Sequence, residues 1–187
     1  LHMFEYRITK YNPIFRVNGI YTRDDWTSIC DVGKKYNGCT LTTDECATVM
    51  SNYVNCIMEI IATAQVPEFT VSDVEVYNKK NKRKFRLKNG EVVSQQRLRY
   101  IIMGCLEEKV WCHLSNKNAY IHFGYDLYVY VGCELDHSSI EHICSKYGLF
   151  GEPFTSPYKE SYFSPWLIRC HIRKKHPHIH RTPRGVG

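Results

Sequence analysis

The chain has 187 residues, of which 43% are hydrophobic and 13% aromatic, enough to bury the core of one domain. No run of about 18 apolar residues occurs, which argues against a membrane-spanning segment. The formal net charge is +6, yet residues 78–88 hold seven Lys or Arg, residues 171–187 hold five, and neither segment has an acid. The rest of the chain therefore carries −6. This distribution is not the continuous basic surface of a dedicated nucleic-acid binder, and it favours a basic partner.

The two ends of the chain and the cysteines indicate its compartment. Residues 1–5 lack a charged segment and an apolar segment, so we expect no signal peptide, a native start at Met3 and a cytoplasmic location. Nine cysteines are present, an odd number, and no two are spaced as Cys-x-x-Cys. This pattern argues against a disulfide framework and a zinc site and favours reduced, buried thiols.

The first third of the chain predicts a strand, a hairpin and a long helix. Residues 4–9 alternate between apolar and polar side chains, as a strand does. Asn18-Gly19 predicts the turn of a short hairpin, and Asp24 or Asp25 is expected to cap a helical turn. Thr42 and Glu45 have the spacing of a capping box, which predicts a helix over 43–65.

The middle of the chain predicts a bulged strand, a basic edge strand and a second helix. Residues 69–77 read as a strand with a bulge near Asp73. Apolar and basic residues alternate within 78–88, which predicts an edge strand with solvated lysines. Ser94 is expected to cap a helix over 94–108.

Residues 110–114 alternate as a strand and lead into the densest aromatic and β-branched run of the chain, 119–134. We interpret that run as a central hairpin or bent strand pair, with a bend at Gly124. Ser138 and Glu141 suggest a capping box for a short helix that ends at Gly148, and residues 149–154 are expected to be extended.

This order of elements predicts an α+β fold with a mostly antiparallel sheet and two or three helices packed on one of its faces. We expect a single domain over 1–169. Residues 170–187 are expected to form a flexible, basic, histidine-rich tail.

Two groups of histidines are candidate chemical sites. His113 and His122 lie on adjacent predicted strands and could form the acid/base pair of a metal-independent ribonuclease, with the lysines of 78–88 holding phosphate. A histidine on a strand is more often structural, so no catalytic residue is assigned. His171, His176, His178 and His180 alternate in the tail, but no fixed set of further ligands accompanies them, so no metal site and no cofactor is predicted. No nucleotide-binding or nucleophile-elbow motif occurs.

Tyrosines and acids after the central run favour a protein-binding surface, because tyrosine offers contact area at low entropic cost and keeps a polar tip. The residues that we assign to partner binding are Tyr125, Asp126, Tyr128, Tyr130, Glu134, Asp136 and Glu152.

Three segments resemble small cytosolic bacterial immunity proteins, which are encoded beside polymorphic or contact-dependent toxins. The segments are KYNP at 10–13 with GIY at 19–21, DWTS at 25–28 and DVG at 31–33; YIHFGYDLY at 120–128; and GLF at 148–150 through Phe154 to SPY at 156–158. The resemblance implies no enzyme activity and a protein that binds one toxin domain, often a nuclease, and occludes its active site. An RNA-cleaving enzyme and a nucleic-acid-binding regulator remain as alternatives.

Overall fold

The computed structural model describes residues 2–76 and 78–159. The chain divides into two compact units, Leu1–Ser156 and Pro157–Gly187. The expected domain end at 169 and the expected histidine-rich tail lie outside the described residues. The architecture below is that of the first unit.

The described residues form eleven strands, four α-helices and two short 3₁₀ helices, at Pro13–Phe15 and Ile29–Asp31. The α-helices are α1 Thr43–Thr63, α2 Lys79–Phe85, α3 Gln95–Leu106 and α4 His137–Lys146. The strands are β1 Phe4–Thr9, β2 Arg16–Val17, β3 Ile20–Tyr21, β4 Lys35–Tyr36, β5 Cys39–Thr40, β6 Glu68–Val76, β7 Val92–Ser94, β8 Val110–Ser115, β9 Tyr120–Phe123, β10 Val129–Cys133 and β11 Phe150–Pro153.

Seven of these strands form one sheet in the order β11-β1-β10-β9-β8-β6-β7, and every neighbouring pair is antiparallel. The remaining strands pair as two-residue ribbons, β2 with β3 and β4 with β5. The ribbons turn at Asn18-Gly19 and Asn37-Gly38, where both residues of each turn have positive φ, as an Asn-Gly hairpin turn requires. The predicted antiparallel α+β architecture and the Asn18-Gly19 hairpin are confirmed.

The core lies on one face of the sheet. A single buried cluster combines Ile57 of α1, Ile101 of α3 and Ile140 of α4 with sheet residues such as Ile8 and Val131. The helix α1 begins as predicted, with the Thr42 side chain accepting a hydrogen bond from the Glu45 backbone and the Glu45 side chain accepting one from the Thr42 backbone. Because side chains alternate along a strand, the residues between these core positions point to the opposite face.

The expected edge strand within 78–88 is wrong, because residues 79–85 form the helix α2. Asn78 caps it by accepting a hydrogen bond from the Asn81 backbone, and Asn81 and Phe85 are buried one helical turn apart. Phe85 packs so closely on α3 that a Cβ added to Gly104 would lie 2.3 Å from its ring. Burial of this one ring overrides the alternation that suggested a strand.

Two capping predictions are also wrong. Ser28, and not Asp24 or Asp25, caps the 3₁₀ turn, and Asp25 instead forms an ion pair of 2.7 Å with Lys10. Asp136, and not Ser138, caps α4. The predicted bulge in β6 is confirmed, since Asp73 has a φ of 53° and the register with β8 shifts between Ser72 and Glu75.

Candidate functional site

One row of directly opposed residues crosses six strands on the face of the sheet that points away from the helices. In order from β11 to β6, the row is Glu152, Arg7, Tyr130, His122, His113 and Ser72. Directly opposed side chains in antiparallel strands lie close enough to interact. The register therefore places a carboxylate, a guanidinium, a phenol and two imidazoles side by side.

The carboxylate of Glu152 binds two arginines at one end of this row. Arg7 donates two hydrogen bonds to it, from Nε at 3.2 Å and from Nη2 at 3.0 Å, and Arg16 Nη2 lies 3.1 Å from its Oε2. Both guanidinium groups are largely buried, with 10% of the Arg7 side chain and 7% of the Arg16 side chain exposed. We call Arg7, Arg16 and Glu152 the guanidinium cluster. Because two cations share one carboxylate, the cluster has a net positive charge.

Aromatic rings surround the guanidinium cluster. The Arg7 guanidinium lies 4.3 Å from the ring centroid of Phe154, and that of Arg16 lies 5.5 Å from the centroid of Tyr128. Arg16 Nη1 also donates a 3.0 Å hydrogen bond to the Tyr128 hydroxyl. Arg16 belongs to β2, so this contact joins the 13–21 hairpin to the β9–β10 turn.

The β9–β10 turn has an unfavourable backbone conformation that buried tyrosines hold in place. Asp126 and Leu127 have φ of 58° and 59°, which costs non-glycine residues about 1–2 kcal/mol each. The Tyr11 hydroxyl donates to the Asp126 carbonyl at 2.8 Å, and the Tyr53 hydroxyl donates to the Leu127 carbonyl at 2.9 Å. The Tyr53 oxygen also accepts the Lys10 backbone N–H at 2.6 Å. The surrounding fold thus determines the shape of this turn.

The side chain of Asp126 is partly buried beneath the turn surface. Burial, together with the negative charges of Glu108 and Asp31, raises its pKa to about 7. Among the described residues Asp126 forms no salt bridge, in contrast to Glu152. Its charge therefore changes near neutral pH.

The hairpin 13–21 exposes three aliphatic side chains. Ile14, Val17 and Ile20 are 76%, 60% and 50% exposed, and Val17 and Ile20 are directly opposed across the ribbon. We call these three residues the apolar tip. Its base is fixed by Arg16 and by the Tyr21 ring, whose centroid lies 4.8 Å from that of Tyr11. A rigidly held group of exposed aliphatics is a common feature of protein–protein contact surfaces.

The residues that we predicted to bind a partner lie in several different parts of the structure. Tyr125, Asp126 and Tyr128 lie together in the β9–β10 turn and are partly buried, beside the base of the hairpin. Tyr130 is almost fully buried in the cross-strand row, and burial raises its pKa to about 12. Glu152 belongs to the guanidinium cluster.

The other two predicted residues lie at the opposite end of β10, separated from the turn by a strand of about 16 Å. Glu134 is exposed there. Asp136 is the N-cap of α4, and hydrogen bonds from Ser139 and Ser138 lower the pKa of its carboxyl group. Glu134 and Asp136 therefore lie about one strand length from the turn.

His113 and His122 do face one another, as their predicted strands allowed. They are directly opposed in β8 and β9, and their ring centroids are 4.4 Å apart. His113 Nδ1 lies 3.1 Å from Asp73 Oδ2, and His122 Nδ1 lies 2.8 Å from the Ser156 hydroxyl. Burial lowers the pKa of His113, and the nearby Asp73 carboxylate partly opposes that effect. His113 is therefore mainly neutral near pH 7, and both rings are largely buried.

The described cysteines are all free thiols, and six of the eight are buried. Cys56 of α1 and Cys144 of α4 have their sulfur atoms 3.7 Å apart, and this contact together with burial raises the pKa of Cys56. Within residues 2–76 and 78–159, no group of three or more His, Cys, Asp or Glu is placed to hold a metal ion. No helix in the same part of the chain has the length and apolar content needed to cross a membrane.

Two parts of this site, the guanidinium cluster and the apolar tip, were not predicted from the sequence. The guanidinium cluster joins Arg7 to a residue 145 positions away, and no local pattern signals such a pairing. The apolar tip did carry a signal, because apolar residues on both sides of Asn18-Gly19 in two-residue strands have too little neighbouring structure to be buried.

Comparisons of the chain with protein-family models, with curated proteins and with solved structures find no match.

Proposed function

We propose that this chain is a non-enzymatic, cytoplasmic binding protein of the immunity type, which binds the catalytic domain of a protein toxin and occludes its active site. The observation that carries the proposal is the apolar tip. Ile14, Val17 and Ile20 are all exposed and lie within one seven-residue span of the hairpin. The body of the protein holds this hairpin rigidly.

The rigid base of the hairpin supports a role in binding. Association costs free energy for every segment that must become ordered, so a preformed element binds more tightly than a flexible one. Arg16 anchors β2 to Tyr128 and Glu152, and the Thr22 hydroxyl donates a 2.7 Å hydrogen bond to the Phe15 carbonyl across the ribbon. Little ordering is left for binding to impose on the apolar tip.

The neighbouring turn extends the surface. Tyr125, Asp126 and Tyr128 lie in the turn that Arg16 joins to the hairpin. They add two phenols and a carboxyl group to the apolar tip, and protein interfaces commonly combine apolar and polar groups in this way. The net charge of −6 outside the two basic segments would speed encounter with a basic toxin, such as a nuclease domain. We therefore place the toxin contact on the apolar tip and the turn, and not at Glu134 and Asp136.

The test is co-expression with the C-terminal domain of the protein encoded by the gene that adjoins its own. The chain should restore growth to cells that make this domain, and calorimetry should detect a complex. Val17→Asp should weaken the complex at least tenfold, because a charge would be buried against the partner. Val92→Asp is the matched control, since Val92 is an exposed valine on β7 with 55% exposure.

Failure of the chain to bind or neutralise that domain would contradict the proposed function. If the complex forms but Val17→Asp and Val92→Asp bind alike, the function stands and the placement of its surface is wrong. Raised salt should slow association of the wild-type chain, and an association rate independent of salt would contradict electrostatic steering.

A second candidate function, cleavage of RNA, is favoured by the geometry of one pair of residues. His113 and His122 have ring centroids 4.4 Å apart, and Asp73 and Ser156 each contact one ring. Two imidazoles at this separation could act as base and acid on a ribose 2′-hydroxyl and a phosphate.

Incubation of the purified chain with tRNA tests this second candidate. His113→Ala and His122→Ala should abolish cleavage, whereas His142→Ala, at an exposed position of α4, should retain it. Absence of cleavage by the wild-type chain, or equal cleavage by all three variants, would reject the enzyme.

A further inference from the structure

The cations of residues 79–88 differ from most of the other cations that the structure describes. All seven are exposed, and none forms a salt bridge with a described residue: Lys79, Lys80, Lys82, Arg83, Lys84, Arg86 and Lys88. Seven other basic side chains in the described part of the chain do have acidic partners, among them Lys10, Arg97 and Lys146. The charge of this segment is therefore left available to an external anion.

The helix α2 gathers four of these cations on one side. Lys79 and Arg83, and likewise Lys80 and Lys84, are four residues apart, which places them on the same side of a helix. These four side chains line a surface depression of about 550 Å³. Asn81 and Phe85 occupy the opposite, buried side, where the Asn81 side chain donates to the Lys109 carbonyl at 3.2 Å.

Lys82, Arg83 and Lys84 lie in the last turn of α2, where the helix dipole favours cations, but Lys79 and Lys80 lie in its first turn, where the dipole disfavours them. A helix of seven residues is marginal alone, its first turn has no acid, and like charges at four-residue spacing repel one another. Burial of Phe85 and Asn81 holds the helix in spite of this repulsion. The concentration of charge thus calls for a reason other than folding.

An exposed aromatic ring borders the cations. Tyr100 of α3 is 41% exposed, and its ring stacks on Phe85 with a centroid separation of 4.8 Å and an interplanar angle of 28°. Lys84 Nζ lies 5.5 Å from the Tyr100 centroid. Phe85 therefore fixes the orientation of a ring that stands beside the charged side of α2.

We propose that Lys79, Lys80, Arg83, Lys84 and Tyr100, here called the basic patch, bind single-stranded nucleic acid. This binding is independent of the toxin-binding function proposed above. The four cations contact successive phosphates, and an unpaired base stacks on Tyr100. Stacking on an aromatic side chain combined with backbone neutralisation is the general mode by which proteins hold single strands without reading their sequence.

A single strand fits better than the two other common polyanions. A duplex keeps its bases stacked within the helix, so it offers no base face to Tyr100. An anionic membrane would be held more firmly by apolar side chains inserted beside the cations, whereas α2 presents its one large apolar residue, Phe85, to the core.

The test measures binding of the full chain to a fluorescein-labelled 12-nucleotide oligo(U) by anisotropy at several salt concentrations. Lys80→Gln/Lys84→Gln should bind about tenfold more weakly near physiological salt, and its log–log salt slope should be shallower by about 1.4, from about 0.7 per lost phosphate contact. Lys35→Gln/Lys117→Gln removes the same charge at two exposed lysines elsewhere and should match the wild-type chain. Residues 171–187 are identical in both variants, so their charge cannot produce a difference between them.

A second pair of variants tests stacking. Tyr100→Ala should weaken oligo(U) binding by about tenfold with an unchanged salt slope, while Tyr100→Phe should bind as the wild-type chain does. Equal binding by the two lysine variants would overturn the proposal, as would wild-type affinity in Tyr100→Ala. Binding to phosphatidylserine vesicles or to duplex RNA that equals or exceeds binding to oligo(U) would overturn it as well. None of these measurements involves the toxin domain, so they fail or succeed independently of the proposed function.

Discussion

The guanidinium cluster and the basic patch differ in whether their positive charges are buried and paired or exposed. Arg7 and Arg16 are largely buried, share the carboxylate of Glu152 and lie against aromatic rings. The cations of α2 are exposed and form no salt bridge with a described residue. A buried charge must be compensated within the fold, whereas an exposed one is solvated at little cost. The first group therefore belongs to the architecture, and the second is free to serve a ligand.

The largest effect is expected at the carboxylate of the guanidinium cluster. Glu152→Gln keeps the size of the side chain but leaves two buried guanidinium groups without a counter-charge, which should lower the free energy of unfolding by about 3 kcal/mol. Urea denaturation measures the change. Glu134→Gln, at an exposed glutamate, should shift stability by less than about 0.5 kcal/mol. Similar values for the two variants would show that the guanidinium groups do not depend on Glu152.

An intermediate effect is expected at Asp126, a carboxyl group at the same end of the sheet that has no basic partner among the described residues. Its pKa in the folded protein is about 7, above that of the unfolded chain. The folded state therefore binds more protons between about pH 4 and pH 7, and stability falls as pH rises through that range. Asp126→Asn removes this loss, so the variant should gain about 2–3 kcal/mol over the wild-type chain between pH 5 and pH 8.

Urea denaturation of both proteins at these two pH values measures that gain. Burial lowers the pKa of His113, so its titration makes the protein less stable as pH falls, opposite to the effect of Asp126. His113 is present in both proteins, so its contribution cancels in the difference between them. Asp24→Asn, at an exposed aspartate, should show no pH-dependent gain. A constant difference between Asp126→Asn and the wild-type chain would mean that Asp126 titrates normally.

The smallest effect is expected in the basic patch. Lys80→Gln/Lys84→Gln should change the free energy of unfolding by no more than about 0.5 kcal/mol, and toward greater stability, because it relieves repulsion between charges one helical turn apart. Thermal or urea denaturation in low salt gives the largest signal, since salt screens this repulsion. A loss of more than about 1 kcal/mol would mean that these lysines support the fold, and the contrast with the guanidinium cluster would fail.

Local chemistry was enough to predict much of the sheet and of the helix layer. The spacing of Thr42 and Glu45 predicted the start of α1, because both hydrogen bonds of a capping box form within four residues. Asn18-Gly19 predicted its hairpin for the same reason, since two residues with positive φ suffice to reverse the chain. The run at 119–134 predicted β9 and β10 because aromatic and β-branched side chains favour a buried sheet without needing one particular distant partner.

The candidate site was predicted only in part. His113 and His122 were correctly expected on adjacent strands, and Tyr125, Asp126 and Tyr128 do lie together in one turn. The predicted bend at Gly124 already implied that Glu134 and Asp136 lie at the end of β10 away from the turn. The exposure of Ile14, Val17 and Ile20 was not predicted, although the two-residue strands beside Asn18-Gly19 carried a signal for it.

By itself, the sequence determined those elements whose stabilising contacts lie within a few residues of one another: the capping box of α1, the Asn18-Gly19 turn, the bulge at Asp73 and most of the alternating strands. The tertiary structure decided the rest. Residues 79–85 are helical because Phe85 fills the space beside Gly104. Asp126 and Leu127 keep positive φ because Tyr11 and Tyr53 bind their carbonyls. Glu152 is neutralised because Arg7 on the neighbouring strand and Arg16 on the hairpin both bind it. In each of these cases the compensating free energy comes from a residue distant in sequence, and it exceeds the local preference of the segment.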